Sequence, residues 1–228
     1  MTSSHPSPPD VLDEPLELDP EDWESRQTYL LLLGIIIPRP IAWISTVSPA
    51  GVLNLAPHSY FNVVAHDPPH IVFSSGGVKD TLTNVRASGE FVVNMVNMDL
   101  AEQMNFTATD FPPDEDEFAW AGVTPVPSRR VAAPRVAEAR AHLECVAVAE
   151  VPAGNGYVVV GRVVHLHVDP SVWRGGRVDP TLLDPIARLS GSSYTTLGEV
   201  FKLQRPTWER DVRGTQPGEA IPRVQRQQ

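Results

Sequence analysis

The strongest constraint on what this chain can fold into is a pair of long alternating segments, residues 141–151 and 157–168, separated only by Pro152-Ala153-Gly154-Asn155-Gly156. Two such runs across so short a gap pair as antiparallel neighbours, and the Asn-Gly step is a strong hairpin signal. Shorter runs of the same character precede them. Residues 35–47 are β-branched and aromatic, with Pro38 and Pro40 confined to the entry, and Ser48-Pro49-Ala50-Gly51 turns that strand onto 52–57. Residues 61–65, 71–75 and 91–95 read as further strands. Many short strands joined by tight turns, with helices only at the edges, specify a mainly β fold. The expected form is an antiparallel barrel, closed or partly closed, and not a doubly wound parallel sheet.

Helices are predicted around this sheet. Asp19 is an N-cap, with Pro20 at the first helical position and acids in the first turn, so a helix is expected to carry Trp23, Tyr29 and residues 30–33 and to end near Gly34. The spacing of Leu82, Val85 and Arg86 predicts a helix over 79–88, with Gly89 as its left-handed cap. Residues 100–106 read as a short helix and 112–117 as an acidic turn. Pro125, Pro127 and Pro134 make 123–134 an extended crossing. Residues 184–189 and 194–203 close the body. A chain of 228 residues suits one substantial core. The expected division is an acidic Pro-rich tail over 1–18, one domain over 19–204, and a polar tail over 205–228.

Charge and motifs exclude several function classes. The formal charge is −10, but residues 1–28 hold eight acids against Arg26 alone, so that −7 sits in the head and −3 in everything after it. No basic face for nucleic acid or an anionic membrane is expected from such a body. The longest apolar run, 30–37, is far short of the ~20 residues of a spanning helix, and the first residues show no secretory pattern, so a cytoplasmic protein is expected. Cys145 alone provides neither a disulfide nor a cysteine zinc site, and reads as a buried small hydrophobe. No G-x-G-x-x-G, G-x-S-x-G or P-loop occurs. His165 and His167 share a strand face without a third ligand spaced to join them, so no metal site is predicted. The run Asp114 to Glu117 lacks the spacing of a calcium loop and reads as a solvated face.

Three blocks carry binding chemistry. Ser45 and Thr46 put small hydroxyls at the end of a hydrophobic strand; Trp43, in the same strand, reads as core. The block Ala56-Pro57-His58-Ser59-Tyr60-Phe61-Asn62 presents donors between two strands where packing alone would favour apolar residues. Lys79-Asp80-Thr81 opens a helix directly after Gly76-Gly77. Free amides, a hydroxyl and a cation there make a phosphate site, although Asp80 and Thr81 also serve as ordinary caps. Together the blocks suit a phosphorylated planar ligand.

In order and wording these blocks, beginning at Pro38-Arg39-Pro40-Ile41-Ala42-Trp43-Ile44-Ser45-Thr46, resemble the flavin reductase-like family over residues 19–203. The run Pro185-Ile186-Ala187-Arg188-Leu189-Ser190-Gly191 to Gly198 is similar to that family's closing motif, with Ser190 where a glycine is often found. The resemblance implies an FMN-binding split β-barrel of Greek-key type with peripheral short helices. By it, Ser45, Thr46, His58, Ser59, Tyr60, Phe61 and Asn62 line the flavin ring and ribityl chain, Ser74, Lys79 and Thr81 hold the phosphate, and Arg188 and Tyr194 face the flavin or the nicotinamide. It implies an NAD(P)H-dependent flavin reductase that passes hydride to FMN N5 and electrons on to free flavin, oxygen or a partner monooxygenase. No side-chain acid or base is required for that step, and His58 is the residue expected to tune orientation. A flavoredoxin-like carrier without its own NAD(P)H activity, and the same barrel with a deazaflavin or haem, stay open beside it. The apolar residues 29–33 and the free edge of a split sheet predict a homodimer, whose interface, by the resemblance, holds the pocket.

Overall fold

Residues 141–153 and 156–168 pair antiparallel along their whole length, with register shifts at Val160/Gly161 and Val163/His165. The computed structural model describes residues 11–216. In chain order its elements are α1 (Ser25–Ile35), β1 (Arg39–Pro40), β2 (Ala42–Val47), β3 (Leu53–His58), β4 (Phe61–His66), β5 (Pro69–Ser75), α2 (Asp80–Ser88), β6 (Glu90–Met95), α3 (Ala101–Phe106), α4 (Glu117–Ala121), β7 (Pro125–Val126), β8 (Arg135–Val136), β9 (Ala141–Ala153), β10 (Gly156–Val168), β11 (Trp173–Arg174), β12 (Arg177–Val178), α5 (Pro180–Leu183), β13 (Ala187–Arg188) and β14 (Tyr194–Thr195). The mainly β class is as expected. Among the described residues, those up to 196 form one compact unit and those from 197 a second. The second unit carries a π-helical turn at Trp208–Val212. Residues 1–10 of the acidic head and 217–228 of the polar tail lie outside the described residues. No described helix is long and apolar enough to cross a membrane.

Seven strands make one antiparallel sheet in the order β3-β2-β6-β9-β10-β5-β4. Its two edge strands, β3 and β4, are consecutive in the chain and joined only by Ser59 and Tyr60. The sheet therefore curls until its edges meet at that corner, where Ser74 N donates to Tyr60 O at 2.9 Å, yet no ladder joins β3 to β4. The barrel is split there. Inside it pack Ala42, Ile44, Ile71, Phe73, Phe91, Val93, Cys145 and Val159, closed by Leu82 and Val85 of α2. A second cluster, with Ile41, Trp43, Leu55, Met104, Phe118 and Val136, covers the other face of β2 and β3 beneath α3 and α4.

Three local expectations change. Asp19 caps as predicted, accepting from Glu21 N at 3.1 Å, but only one 3-10 turn, Pro20–Asp22, follows it. Trp23 and Glu24 are extended, and α1 starts afresh at Ser25 and runs through Gly34 to Ile35. The hairpin turn is Gly154-Asn155 and not Asn155-Gly156. Gly154 takes φ 58° at the first central position, the type II′ requirement, while Gly156 pairs with Ala153 inside the ladder. Glu117, expected as the end of an acidic turn, instead opens α4, because Asp116 accepts from the amides of Phe118 and Ala119.

Gly161 is the point of closest approach inside the barrel, for a Cβ built there would lie 2.4 Å from Cζ of Phe91, whose ring is fully buried against Phe73. Gly161→Ala is expected to cost about 1–3 kcal/mol through overpacking. The urea midpoint should fall, and pairing the substitution with Phe91→Leu should restore part of the loss; an unchanged midpoint would show that the barrel interior yields at this position.

Candidate functional site

The split between β3 and β4 opens a cleft of about 520 Å³. His58, Ser59, Tyr60, Ser74, Lys79, Arg188 and Tyr194 line it, brought together from the barrel corner, the start of α2 and the β13–β14 ribbon. Tyr29 of α1 forms part of the wall and hydrogen-bonds Tyr60. Burial and that bond push the Tyr60 phenol up to about 12.

His58 ends β3, its ring edge-on to Phe73 at 5.0 Å. Its Nδ1 lies 3.3 Å from Ser74 O, a contact that places the ring hydrogen on Nδ1. Nε2 is then a buried acceptor with no hydrogen-bond partner. Burial, with a smaller push from the Lys79 charge, lowers this imidazole to about 4. A neutral acceptor left unpartnered beside a cleft is a place for a ligand's donor.

Lys79 is the N-cap of α2, and no side chain caps the helix. The first-turn amides are consequently open, and the helix dipole adds to the Lys79 cation at the same spot. Gly77, at φ 116°, lets the chain turn into this helix. Lys79 Nζ pairs with Asp110 Oδ1 at 2.6 Å, which holds the Asp110 carboxyl below its usual range. A neighbouring cleft of about 320 Å³ shares Pro57, His58, Lys79 and Ala108 with the first, so Lys79 stands at their junction.

Five of the expected residues are not in the larger cleft. β2 is buried on both faces, which directs Ser45 and Thr46 into protein rather than toward the split. Ser45 Oγ donates to Pro134 O and accepts from Asn94 Nδ2, while Thr46 Oγ1 donates to Asn54 Oδ1 at 3.0 Å and accepts from Asn84 Nδ2. Thr81 lines the smaller cleft, but its hydroxyl turns inward to Asn54 Oδ1 at 2.9 Å. Phe61 packs against the barrel core, and Asn62 is exposed, accepting from Val63 N. Cys145 is buried as expected, its thiol pushed up to about 12 by burial.

Arg39 is the cleft residue that sequence reasoning passes over. Its guanidinium, 6% exposed, donates to Leu33 O at 3.0 Å, Ile36 O at 2.8 Å and Leu189 O at 2.7 Å. It pins the end of α1 and the β13–β14 turn to the cleft floor. An arginine between two prolines at the head of an apolar strand is the signal that marks it. Arg188 lies over the Tyr194 ring at 4.4 Å, bonds its hydroxyl, and donates to Gly191 O at 2.5 Å. Tyr194 in turn donates to Asn105 at 2.8 Å.

The opening of the split antiparallel barrel thus brings together an uncapped helix start, a lysine and a buried imidazole acceptor. The flavin reductase like domain family matches residues 34–182, and the chain belongs to that family. A protein of Halalkalibacterium halodurans is 39% identical over 203 residues, covering 84% of this chain and 97% of that one. Among solved structures, nitrilotriacetate monooxygenase component B from Bacillus cereus is similar at 39% identity and TM-score 0.81, over 84% of this chain and 100% of the other. The 2-nitrobenzoate 2-nitroreductase of Pseudomonas fluorescens is similar at 30% identity and TM-score 0.77, over 85% and 98%. The split-barrel expectation therefore holds.

With its folded-state value near 4 against an ordinary 6.5, His58 binds fewer protons in the folded chain than in the unfolded one between those values. Stability contributed by this group is present above about 6.5 and is lost as pH falls toward about 4. Imidazole NMR of His58 should show no titration from pH 8 down to about 5, and urea unfolding should give His58→Gln a shallower acid slope than the parent; a His58 midpoint near its ordinary value would overturn the assignment.

Proposed function

We propose that the cleft at the barrel split binds FMN and that the protein is an NAD(P)H-dependent flavin reductase. The observation that carries this reading is the junction at Lys79, where an uncapped helix start and a cation meet the end of a cleft whose other wall holds the open His58 acceptor. These residues fit the group: the α2 amides and Lys79 suit a phosphate dianion, and His58 Nε2 suits a ring N–H or a ribityl hydroxyl. When bound, a flavin supplies the two-electron chemistry between a reduced nicotinamide and an acceptor such as free flavin, oxygen or a partner monooxygenase.

This chain's own part is to bind, orient and shield. Ser59, Tyr60 and Ser74 at the corner present polar groups along the cleft, and Arg188, held flat by Tyr194, offers a fixed positive edge. Neutral His58 orients without exchanging a proton at working pH. Asp110 competes with a bound phosphate for Lys79 and so favours release. The likeness to a monooxygenase component B supports a monooxygenase as the electron acceptor.

The reading also includes a homodimer. α1 has no buried residue although Tyr29, Leu30, Leu32 and Ile35 are 50%, 44%, 50% and 75% exposed. An apolar helix beside the cleft needs a cover, and a second copy of the chain supplies one of matching character. Sedimentation of the FMN-loaded protein at micromolar concentration should give twice the 25.0 kDa chain mass; a monomer that still carries FMN would sink this part.

The test of function is a flavin titration followed by anaerobic addition of NADH and of NADPH. Saturable FMN binding and bleaching of the flavin band by either nucleotide are expected, and a protein that binds no flavin would refute the reading. Lys79→Ala should weaken FMN by about 1–3 kcal/mol while leaving riboflavin unaffected. Asp110→Asn should strengthen FMN alone. Equal effects on both flavins would remove the phosphate from this junction.

A further inference from the structure

The open end of the β9–β10 hairpin carries a cleft of its own, of about 470 Å³. Tyr157 pairs with Ser75 beside the first cleft, and the run from Tyr157 to His165 spans roughly 26 Å of strand at about 3.3 Å per residue. No residue lines both clefts. The floor of the second is imidazole. His142 and His167 are paired across the strands with ring centroids 6.0 Å apart, and His165 lies edge-on to His167 at 4.6 Å.

Arg129 and Arg135 form the wall above. Among the described residues neither has a carboxylate partner in the ion pairs formed, and Arg135 donates only to Pro127 O. The acids and the further cation close by are already engaged. Glu144, fully buried, accepts from the amides of Arg129 and Arg130 at 2.8 and 2.6 Å and pairs with His167 Nε2 at 2.5 Å. Asp169 accepts from Ser171 N at 2.8 Å, and Arg140 pairs with Asp99 at 2.7 Å.

His142 is 6% exposed and lines this cleft. Its Nε2 donates to Val136 O at 2.8 Å, so Nδ1 is a buried lone pair, and it has no partner. Burial first, and then the Arg135 and His167 charges, lower this imidazole to about 4 against the Val136 carbonyl and the Glu144 charge, which raise it. A ligand can satisfy Nδ1 by donating to it, or by bringing negative charge that offsets Arg135 and lets Nδ1 take a proton and donate. Two guanidiniums without counter-ions select the second course.

We propose that this cleft is a second binding site, which takes a small organic carboxylate between Arg129 and Arg135 and a hydrogen bond from His142 Nδ1, with one proton taken up on binding. Guanidinium forks match the planar carboxylate edge, and the imidazole floor accommodates the body of the ligand. Phosphate offers the same oxyanion chemistry without the planar match. The proposal does not depend on the flavin reading.

Citrate and inorganic phosphate are the probes, titrated calorimetrically into the full chain at neutral pH and fixed ionic strength, in two buffers of different protonation enthalpy. Saturable one-to-one citrate binding is expected, with heats that differ between buffers by one proton. Arg135→Gln should weaken it about 10-fold or more, and His142→Gln, which keeps a donor for Val136 O, should abolish the buffer dependence. The rim variants carry the test if His142→Gln fails to fold. No saturable citrate binding, binding indifferent to Arg129→Gln with Arg135→Gln, or preference for phosphate would overturn the proposal, and unaltered FMN affinity in the rim variants would confirm that the two sites are separate.

Discussion

One hydrogen-bond chain holds the barrel end to the helix that faces the cleft. Asn84 Nδ2 donates to Thr46, Thr46 and Thr81 both donate to Asn54 Oδ1, and Asn54 Nδ2 donates to Glu117 at 2.8 Å, whose other oxygen accepts from Leu55 N. All five side chains are buried, so each polar group must be met inside the protein. Burial raises the Glu117 carboxyl above its usual range despite these bonds. Removing any one member would strand its partners, and that interdependence fixes where α2 begins. The position of Lys79 and of the open first-turn amides follows from it.

The cleft itself follows from topology. A seven-stranded sheet whose edge strands are consecutive must bring them together at a two-residue corner, and it has nothing with which to zip them. Edges that remain unpaired need management. Here Arg39 gathers three carbonyls from α1, the segment after it and the β13–β14 turn, so the wall of the opening is built by a cation rather than by a strand. Burying that guanidinium is tolerable because it lies at the end of α1, where backbone carbonyls are unsatisfied.

How much of this was legible in the sequence depends on the range of the interactions concerned. Alternation and turn residues marked the strands of the barrel, since both are local signals. The lining of the cleft by His58, Ser59, Tyr60, Ser74 and Lys79 could be expected because these positions border turns or helix starts. Ser45, Thr46 and Thr81 could not be placed, for a hydroxyl at a strand end or helix start reads the same whether it faces a ligand or Asn54. Only the cover on both faces of β2, supplied by α2 on one side and α3 and α4 on the other, decides between them. The turn lies one residue earlier than the Asn-Gly signal because Gly154-Asn155-Gly156 offers two registers, and Gly154, at φ 58°, takes the positive-φ position while Gly156 pairs with Ala153.

His58 and His142 share one signature on different strands of the same sheet. Each gives one ring nitrogen to a backbone carbonyl, each has the other nitrogen buried without a partner, and each is held to about 4, chiefly by burial. A barrel stabilised by apolar packing gains nothing from such a group, because the desolvated nitrogen costs free energy that Phe or Leu would not. Stability alone therefore does not account for either residue. What the two positions have in common is a cleft and a cation close to the open nitrogen, Lys79 in one case and Arg135 in the other, and a bound anion would relieve the charge and complete the hydrogen bonding together.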